Sequence, residues 1–217
     1  MKKIMMIAAM MVATLSASAQ NEVGQITLKP TVGVNFASMT KIDNSSSRTG
    51  ILAGVEAEYG VAEKFGVTAG VFYSMQGAKH DALYKATEGG VTVTAGDKAT
   101  FKLDYINIPI LAQYYVIPGL AIKAGIQPGF CVSKKYDYEA SMSIDGVAGG
   151  DKTSGKFTTD DINTFQFAIP VGISYEYQSF VLDARYNIGL TKAFKSSWDT
   201  SSRHNVFSIS LGYKFAL

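Results

Sequence analysis

The sequence predicts an all-β protein, an eight-stranded antiparallel transmembrane β-barrel with short turns at one end and long loops at the other. Three observations support this fold class. Apolar and polar residues alternate with a period of two in eight segments, as in strands whose successive side chains point to opposite faces. The connections between these segments are alternately short and long. Beyond the N-terminal stretch, no run of about 18 apolar residues remains that could form a membrane helix.

The clearest alternation lies in residues 103–132, LDYINIPILAQYYVIPGLAIKAGIQPGFCV. It forms two arms, 103–116 and 120–132, joined by the minimal turn Ile117-Pro118-Gly119. Each arm holds its alternation for about ten residues, which is long enough to cross a bilayer at a tilt. The sequence therefore predicts a transmembrane hairpin at the centre of the chain.

Six further segments repeat this design, and they bring the predicted strand count to eight. They span residues 26–38, 50–60, 66–77, 163–176, 180–191 and 205–217. Polar loops are predicted at residues 40–49, about 78–99, about 134–162, and from strand seven to about residue 203. Short turns alternating with long loops are typical of outer-membrane barrels, whose turns are periplasmic and whose loops are extracellular. The size corresponds to the small OmpA- and OmpX-type barrels.

The N-terminus reads as a secretory signal peptide over residues 1–19, followed by a barrel domain over residues 20–217. Lys2 and Lys3 precede an apolar stretch too short for a membrane span, and Ala17-Ser18-Ala19 provides a small-residue cleavage site before Gln20. Cleavage removes two lysines and no acid, so the 20 basic residues fall to 18 and equal the 18 acids. Nothing in this balance points to a nucleic-acid partner.

Two kinds of barrel fit the alternation: a membrane barrel with the apolar face outside, and a soluble barrel of the lipocalin type with it inside. The polar face favours the membrane barrel, because small and uncharged residues dominate it rather than the Lys, Glu and Thr of a water-exposed strand. The apolar face carries tyrosines towards the strand ends, as lipid-facing belts do. These are Tyr59, Tyr114, Tyr175, Tyr177 and Tyr213. Three large apolar residues, Leu52, Phe72 and Leu111, break the pattern and are expected to pack inside.

Seven charged residues are predicted to face the lumen, in the half of the barrel nearer the turns. They are Glu56, Glu58, Lys123, Glu176, Asp183, Arg185 and Lys214. On the lipid face each would cost up to about 2–4 kcal/mol. Four acids and three bases suit a hydrogen-bonded ionic plug, since buried charges are tolerated when they are paired. The alternative is a narrow ion path lined by the same groups, although eight strands leave room for little more than side chains.

The run DYINIPILAQYYVIPGLAIKAGIQPGF resembles the central hairpin of the outer-membrane β-barrel proteins of Bacteroidota called PorT-like or porin-family proteins. LDARYNIGLT and NVFSISLGYKF resemble the seventh and eighth strands of that family. The resemblance covers essentially the mature chain and implies the outer membrane of a Gram-negative bacterium, but no activity. The chain ends Phe215-Ala216-Leu217 rather than on an aromatic residue, so the assembly machinery is expected to read Tyr213 and Phe215.

No catalytic, cofactor-binding or metal-binding site is predicted, and the chain is not expected to be an enzyme. Its two histidines, His80 and His204, are placed in polar loops, within reach of Asp81, Asp161 or Asp199. No GxSxG or other spaced motif accompanies them.

Metal and nucleotide sites find no support in the residue spacing either. The loop acids lack the spacing of an EF-hand; they are Asp145, Asp151, Asp160 and Asp161. The glycines of the lumen face form no GxGxxG between a strand and a helix. The single cysteine, Cys131, allows neither an internal disulfide nor a thiol-based metal site.

The expected function is that of a closed, monomeric barrel with a structural or surface-interaction role. A small-solute pore is the first alternative and needs an open lumen. An envelope lipid-modifying enzyme is the second and needs His80 or His204 in catalytic geometry. The expected partners are outer-membrane lipid, the barrel assembly machinery and an extracellular ligand held by the loops. Four loop residues are candidate anchors for such a ligand: Leu83, Tyr84, Phe194 and Trp198.

Overall fold

The computed structural model of the chain describes residues 23–40, 45–144, 147–156, 162–195 and 202–217. Within these ranges there are eleven β-strands. They are β1 (Ile26–Met39), β2 (Ser45–Ala62), β3 (Phe65–Glu88), β4 (Val91–Asn107), β5 (Ile110–Ile117), β6 (Leu120–Ile144), β7 (Val147–Lys156), β8 (Phe165–Tyr177), β9 (Phe180–Gly189), β10 (His204–Tyr213) and β11 (Phe215–Ala216). None of the described residues forms a helix that is long and apolar enough to cross a membrane.

Several predictions fall outside the described residues and stay predictions. They concern the signal peptide over residues 1–19, Trp198, and the acids Asp145, Asp160, Asp161 and Asp199.

The strands form an antiparallel ring, and this confirms the predicted eight-stranded barrel. Neighbours follow the order β1-β2-β3-β4-β6-β8-β9-β10, and β10 pairs with β1 to close the ring. β5 prolongs β4 between β3 and β6, while β11 prolongs β10 against β1. β7 lies outside the ring and pairs with β6. Ten of the eleven segments, all except β7, build the wall; they make eight barrel strands because β4 and β5 form one strand and β10 and β11 form another.

The fourth barrel strand, predicted as one segment over residues 103–116, is interrupted at Ile108 and Pro109. Proline has no backbone N–H and cannot donate to the ladder. The neighbouring strands still bond to the remaining backbone groups: Ile108 N donates to Pro128 O at 2.8 Å, and Pro109 O accepts from Gly70 N at 3.0 Å. The barrel wall stays closed across the interruption.

The apolar face is outside and the polar face inside. Val32 and Ile122 are 63% and 51% exposed, whereas Glu56 and Asp183 are 1% and 3% exposed. A soluble barrel of the lipocalin type would show the reverse. Phe72 and Leu111 pack inside as predicted, and Leu52 lines a lumen cavity. Leu120 to Val132 extends for about 40 Å along β6, enough to cross an apolar band of about 25 Å at a tilt.

The two ends of the barrel differ. At one end the turns between β2 and β3, β5 and β6, and β8 and β9 have two residues each. Gly119 adopts a φ of 81° in the second of these turns, a conformation that glycine reaches without steric cost. The predicted tyrosine belt lies near this end. Both ends of the described chain meet there too, since Leu217 N donates to Ile26 O at 3.0 Å and Gly24 N to Gly60 O at 2.8 Å.

At the other end, two segments predicted as loops are strands. β3 and β4 stay paired to Glu88 and Val91, across Gly89-Gly90 with φ of 59° and 82°. A Gly-Gly pair suits a two-residue hairpin turn, which needs positive φ at both positions. β6 and β7 pair in the same way. The loop predictions were therefore wrong for residues 78–88, 91–99, 134–144 and 147–156, and residues 45–49 also belong to a strand. Side chains in these segments also alternate between two faces, but neither face is apolar. An apolar face was the signal that predicted the other strands.

We call the resulting four-stranded extension the outer sheet; it comprises Lys79–Glu88 of β3, Val91–Lys102 of β4, Lys135–Ile144 of β6, and β7. From the barrel rim to Gly89-Gly90 it extends for about 35 Å, at about 3.4 Å per residue. One face continues the lipid side of the wall and the other continues the lumen side.

The lipid-facing wall and the exposed outer sheet should differ in how much stability the protein loses when a lysine is introduced. Ile126 lies midway along the apolar belt and is 45% exposed, so Ile126→Lys should place a cation near the bilayer midplane and cost about 2–4 kcal/mol of unfolding free energy. Urea unfolding of the protein in lipid vesicles measures this cost. Ser154→Lys, at an exposed position of the outer sheet, is the matched control and should leave the stability unchanged. Equal stability of both variants would contradict a lipid-facing Ile126.

Candidate functional site

The centre of the lumen is filled by ion pairs that cross the barrel. We call Lys29, Glu56, Lys123, Asp183 and Arg185 the Glu56 cluster. Glu56 accepts a hydrogen bond from Lys29 Nζ at 2.7 Å and another from Arg185 Nη2 at 3.1 Å. Lys123 Nζ donates to Asp183 Oδ2 at 2.8 Å and lies 3.7 Å from Glu56 Oε1. These side chains come from four strands and join opposite sides of the wall.

A second group lies nearer the turns. We call Glu58, Gln113, Tyr115, Glu176 and Lys214 the Glu58 cluster. Lys214 Nζ lies 3.1 Å from Glu58 Oε2 and donates to Glu176 Oε2 at 2.9 Å. Glu58 Oε1 also accepts hydrogen bonds from Tyr115 Oη at 2.7 Å and from Gln113 Nε2 at 2.9 Å. Two carboxylates are thus held by one ammonium and two neutral donors.

The structure brings all seven predicted lumen charges into these two clusters and adds Lys29, which sequence reasoning missed. The signal for Lys29 was present, because it shares the odd-numbered face of β1 with Asn35 and is paired directly with Glu56. With Lys29 the network has four cations and four carboxylates. The Glu56 cluster carries a formal charge of +1 and the Glu58 cluster −1, so the lumen as a whole is neutral.

A layer of uncharged polar side chains lies above the charges, towards the outer sheet. Asn35 donates through Nδ2 to Ser74 Oγ at 2.8 Å and accepts from Ser208 Oγ at 2.7 Å, which ties three strands together. Four buried amide oxygens of this layer have no hydrogen-bond partner among the described residues; they belong to Gln76, Asn107, Gln166 and Asn187.

An apolar cluster closes the lumen at the outer-sheet end. It consists of Met39, Ala78, Leu103, Tyr105, Cys131, Ile162 and Ala193, with Phe101 and Phe194 packed against it. Phe101 and Phe194 meet edge to face, with ring centroids 6.0 Å apart. Phe194 was a candidate anchor for a partner; its ring is partly buried and packs against this cluster, whereas Leu83 and Tyr84 are 73% and 67% exposed on the outer sheet.

The two histidines do not lie in solvated loops as predicted. His204 begins β10 and is 2% exposed, with Nε2 3.5 Å from Tyr105 Oη and the two rings edge to face. His80 lies within β3, and its Nε2 is 3.6 Å from Asp97 Oδ1 rather than beside Asp81. The two histidines thus have different surroundings, and neither is placed with a serine in a hydrogen-bonded triad by the contacts described.

Small cavities remain within the lumen. One of about 20 Å³ lies against the Glu56 cluster and is lined also by Asn107, Asn187 and Ser208. Another of about 10 Å³ lies between the two clusters. A water molecule needs about 10–15 Å³ on this measure. Each cavity therefore has room for about one water.

No metal site emerges from the described residues, among which no group of three His, Cys, Asp or Glu side chains is arranged to hold an ion. Of the four acids considered for a calcium contact, Asp151 alone lies in a described range, exposed on β7. Cys131 is a free, buried thiol of the apolar cluster.

The geometry of the lumen suits a structural role rather than catalysis. Burying a single charge is costly unless it is paired and hydrogen-bonded. In the lumen each of the four carboxylates has a cation within 3.1 Å. Such a network holds strands β1, β2, β6, β8 and β9 in a fixed register, since a slip of one residue would move its charges to the lipid face.

Fold and lumen together define a class of protein. A closed ring of eight strands with an apolar outer surface and a polar, filled interior is a small outer-membrane β-barrel. The chain matches the family described as "Outer membrane protein beta-barrel domain" over residues 18–195. It belongs to that family, and its location is the outer membrane.

Comparison with other proteins adds remote likenesses. No curated protein matches the chain in sequence. Among solved structures, Ail, the attachment invasion locus protein of Yersinia pestis, is 13% identical, with 89% of this chain and 100% of that chain covered and a TM-score of 0.44. OprG from Pseudomonas aeruginosa is 13% identical over 91% and 98% of the two chains, with a TM-score of 0.39. Neisserial surface protein A is 12% identical over 87% and 95%, with a TM-score of 0.39.

The buried network predicts unequal effects of removing two lysines. Lys123→Met removes one cation from the buried carboxylates Asp183 and Glu56 and should cost about 3–5 kcal/mol of unfolding free energy. Lys152→Met removes the same charge from an exposed pair with Glu139 and should have no measurable effect. Urea unfolding in vesicles compares the two.

A second variant separates the lost ion pair from a general disturbance of the lumen. Lys123→Met combined with Asp183→Leu removes both partners, so it should be less destabilised than the sum of the two single variants. Additive losses would show that the two side chains are not coupled.

Proposed function

We propose that this protein is a closed outer-membrane barrel with a structural or surface-interaction role, carried by the outer sheet rather than by the lumen. The closed lumen is the observation on which the proposal rests. Ion pairs fill the half nearer the turns, amide side chains fill the middle, and an apolar cluster covers the other mouth. The cavities of about 20 and 10 Å³ do not provide a path for a hydrated solute.

The outer sheet supports the interaction part of the proposal. It stands about 35 Å beyond the barrel rim at 3.4 Å per residue, and its lumen-side face carries exposed apolar residues near the tip. These include Tyr84, Met142, Ile144 and Val147, which are 67%, 50%, 45% and 79% exposed. Exposed apolar groups of this kind mark contact surfaces when they are contiguous. The barrel then serves as the membrane anchor of this surface.

The pore alternative needs the Glu56 cluster to open. Lys123, Glu56 and Arg185 meet across the lumen, and a conducting path would have to separate charges that are within 3.7 Å of each other. The enzyme alternative needs a base beside a nucleophile. The burial of His204 against Tyr105 and the pairing of His80 with Asp97 give it no support.

The narrower assignment, to the PorT-like proteins of Bacteroidota, belongs to the same proposal. It is supported by the resemblance of the central hairpin, residues 104–130, to that group. This hairpin also contributes residues to both clusters of the lumen. It carries Lys123 into the Glu56 cluster, and it supplies Gln113 and Tyr115 to the Glu58 cluster.

Ion conductance tests the proposal. The refolded protein should give no steady single-channel current in a planar bilayer, while its heat-modifiable gel mobility shows that it is folded and inserted. Asp183→Asn, which removes a charge from the lumen, should be silent as well. A steady current in the unmodified protein that changes with Asp183→Asn would contradict the closed barrel and support the pore.

A further inference from the structure

Three lysines stand side by side where the outer sheet leaves the barrel. Lys102 of β4 is paired with Lys135 of β6, and Lys135 is paired with Lys156 of β7. Directly opposite residues of antiparallel strands project from the same face, with Cβ atoms about 5 Å apart. The three side chains therefore form one row about 10 Å long, which we call the lysine row.

The lysine row carries uncompensated charge. Like charges directly opposite each other destabilise a sheet. Lys102 is compensated by Asp137, with which it forms an ion pair. Lys135 and Lys156 are exposed and have no carboxylate within ion-pair distance anywhere in the described ranges. The row thus presents two ammonium groups that no carboxylate of the described residues pairs with.

A second row, further out on the same face, places opposite charges next to each other. Asp81, Lys98, Glu139 and Lys152 follow one another across the four strands with alternating sign. Lys98 lies 3.4 Å from Asp81, and Lys152 lies 2.8 Å from Glu139. The hydrogen bond from Lys152 to Glu139 raises the pKa of that lysine above its usual value. We call these residues the alternating row. The same sheet therefore pairs its charges in one row and leaves them unpaired in the other.

The position of the lysine row indicates what lies next to it. It is on the lipid side of the wall, since Lys102 shares its face with Ile106, whereas the neighbouring Leu103 is in the apolar cluster inside. Ile106 is paired with Tyr73 and Phe130, which end the apolar belt. Lys102 lies four residues before Ile106 in β4, about 14 Å further out along a tilted strand. Lysine side chains extend towards an interface, and lipid headgroups are expected at this height above the apolar belt.

We propose that the lysine row binds the phosphate groups of a lipid in the outer leaflet. Ammonium groups bind phosphate as point charges, and basic clusters beside a membrane attract anionic lipids. The acyl chains of such a lipid would lie on Ile106, Phe130 and Val132, which are the belt residues below the row. A lipid supplies the missing counter-charge and covers the belt with one molecule, which a free phosphate does not.

Thermal stability in defined vesicles tests this proposal. The protein is refolded into phosphatidylcholine vesicles that contain increasing fractions of lipid A with two phosphates, and loss of the folded gel band is followed on heating. The transition temperature should rise with the lipid A fraction. Each lysine near an anionic surface strengthens binding about fivefold, so Lys135→Gln with Lys156→Gln should move the midpoint of this rise to an about 25-fold higher fraction.

The matched control is Lys98→Gln with Lys152→Gln, which removes the same charge from the alternating row and should keep the midpoint of the unmodified protein. Lys135→Gln alone should move the midpoint to an about fivefold higher lipid A fraction. This single variant is used if the double variant does not fold. Lipid A without phosphates should produce no rise, and neither should inorganic phosphate. An unshifted midpoint in the lysine-row variants, or an equal rise with dephosphorylated lipid A, would overturn the proposal. A rise produced by inorganic phosphate would reassign the row to a free anion.

Discussion

The neutral ion-pair network of the lumen is the interaction on which the rest of the structure depends. An eight-stranded barrel has little space for water, so charges that point inward must satisfy one another. Lys29 and Glu56 do so across neighbouring strands at 2.7 Å, and Arg185 reaches Glu56 from the opposite wall at 3.1 Å. Because a slip of one residue would turn these charges towards lipid, the network fixes the register of the strands that carry it.

From this network the lumen changes character along the barrel axis. Charges lie nearest the turns, amides such as Asn35 and Asn107 lie in the middle, and the apolar cluster around Leu103 and Tyr105 lies at the outer mouth. A lumen filled in this way leaves the outside of the protein as the place of contact with other molecules. The strands β3, β4 and β6 serve both regions, because they continue without interruption from the wall into the outer sheet.

The sequence predicts the ring of eight strands better than it predicts the outer sheet and the contacts between distant strands. Alternation with a period of two predicts which side chains face lipid, and the same parity extended back along β1 would have included Lys29. The outer sheet was missed because residues 79–99 alternate without an apolar face opposite a polar one. The break at Pro109 follows from its missing N–H, whereas the shift of register between Asp104 and Tyr105 in the pairing of β4 with β6 depends on the neighbouring strand. The contact between Glu56 and Arg185 joins residues 129 positions apart, which a single sequence cannot reveal.

The most direct test of the central claim is nuclear magnetic resonance of the lysine side-chain ammonium groups in the refolded, ¹⁵N-labelled protein. Lys29, Lys123 and Lys214 are ion-paired within a lumen whose two small cavities each have room for about one water, whereas Lys135 and Lys156 are exposed. We predict three ammonium signals whose hydrogens exchange slowly with water, each lost in the corresponding Lys→Met variant. Exchange of these three groups as fast as that of the exposed lysines would contradict a closed, ion-paired lumen.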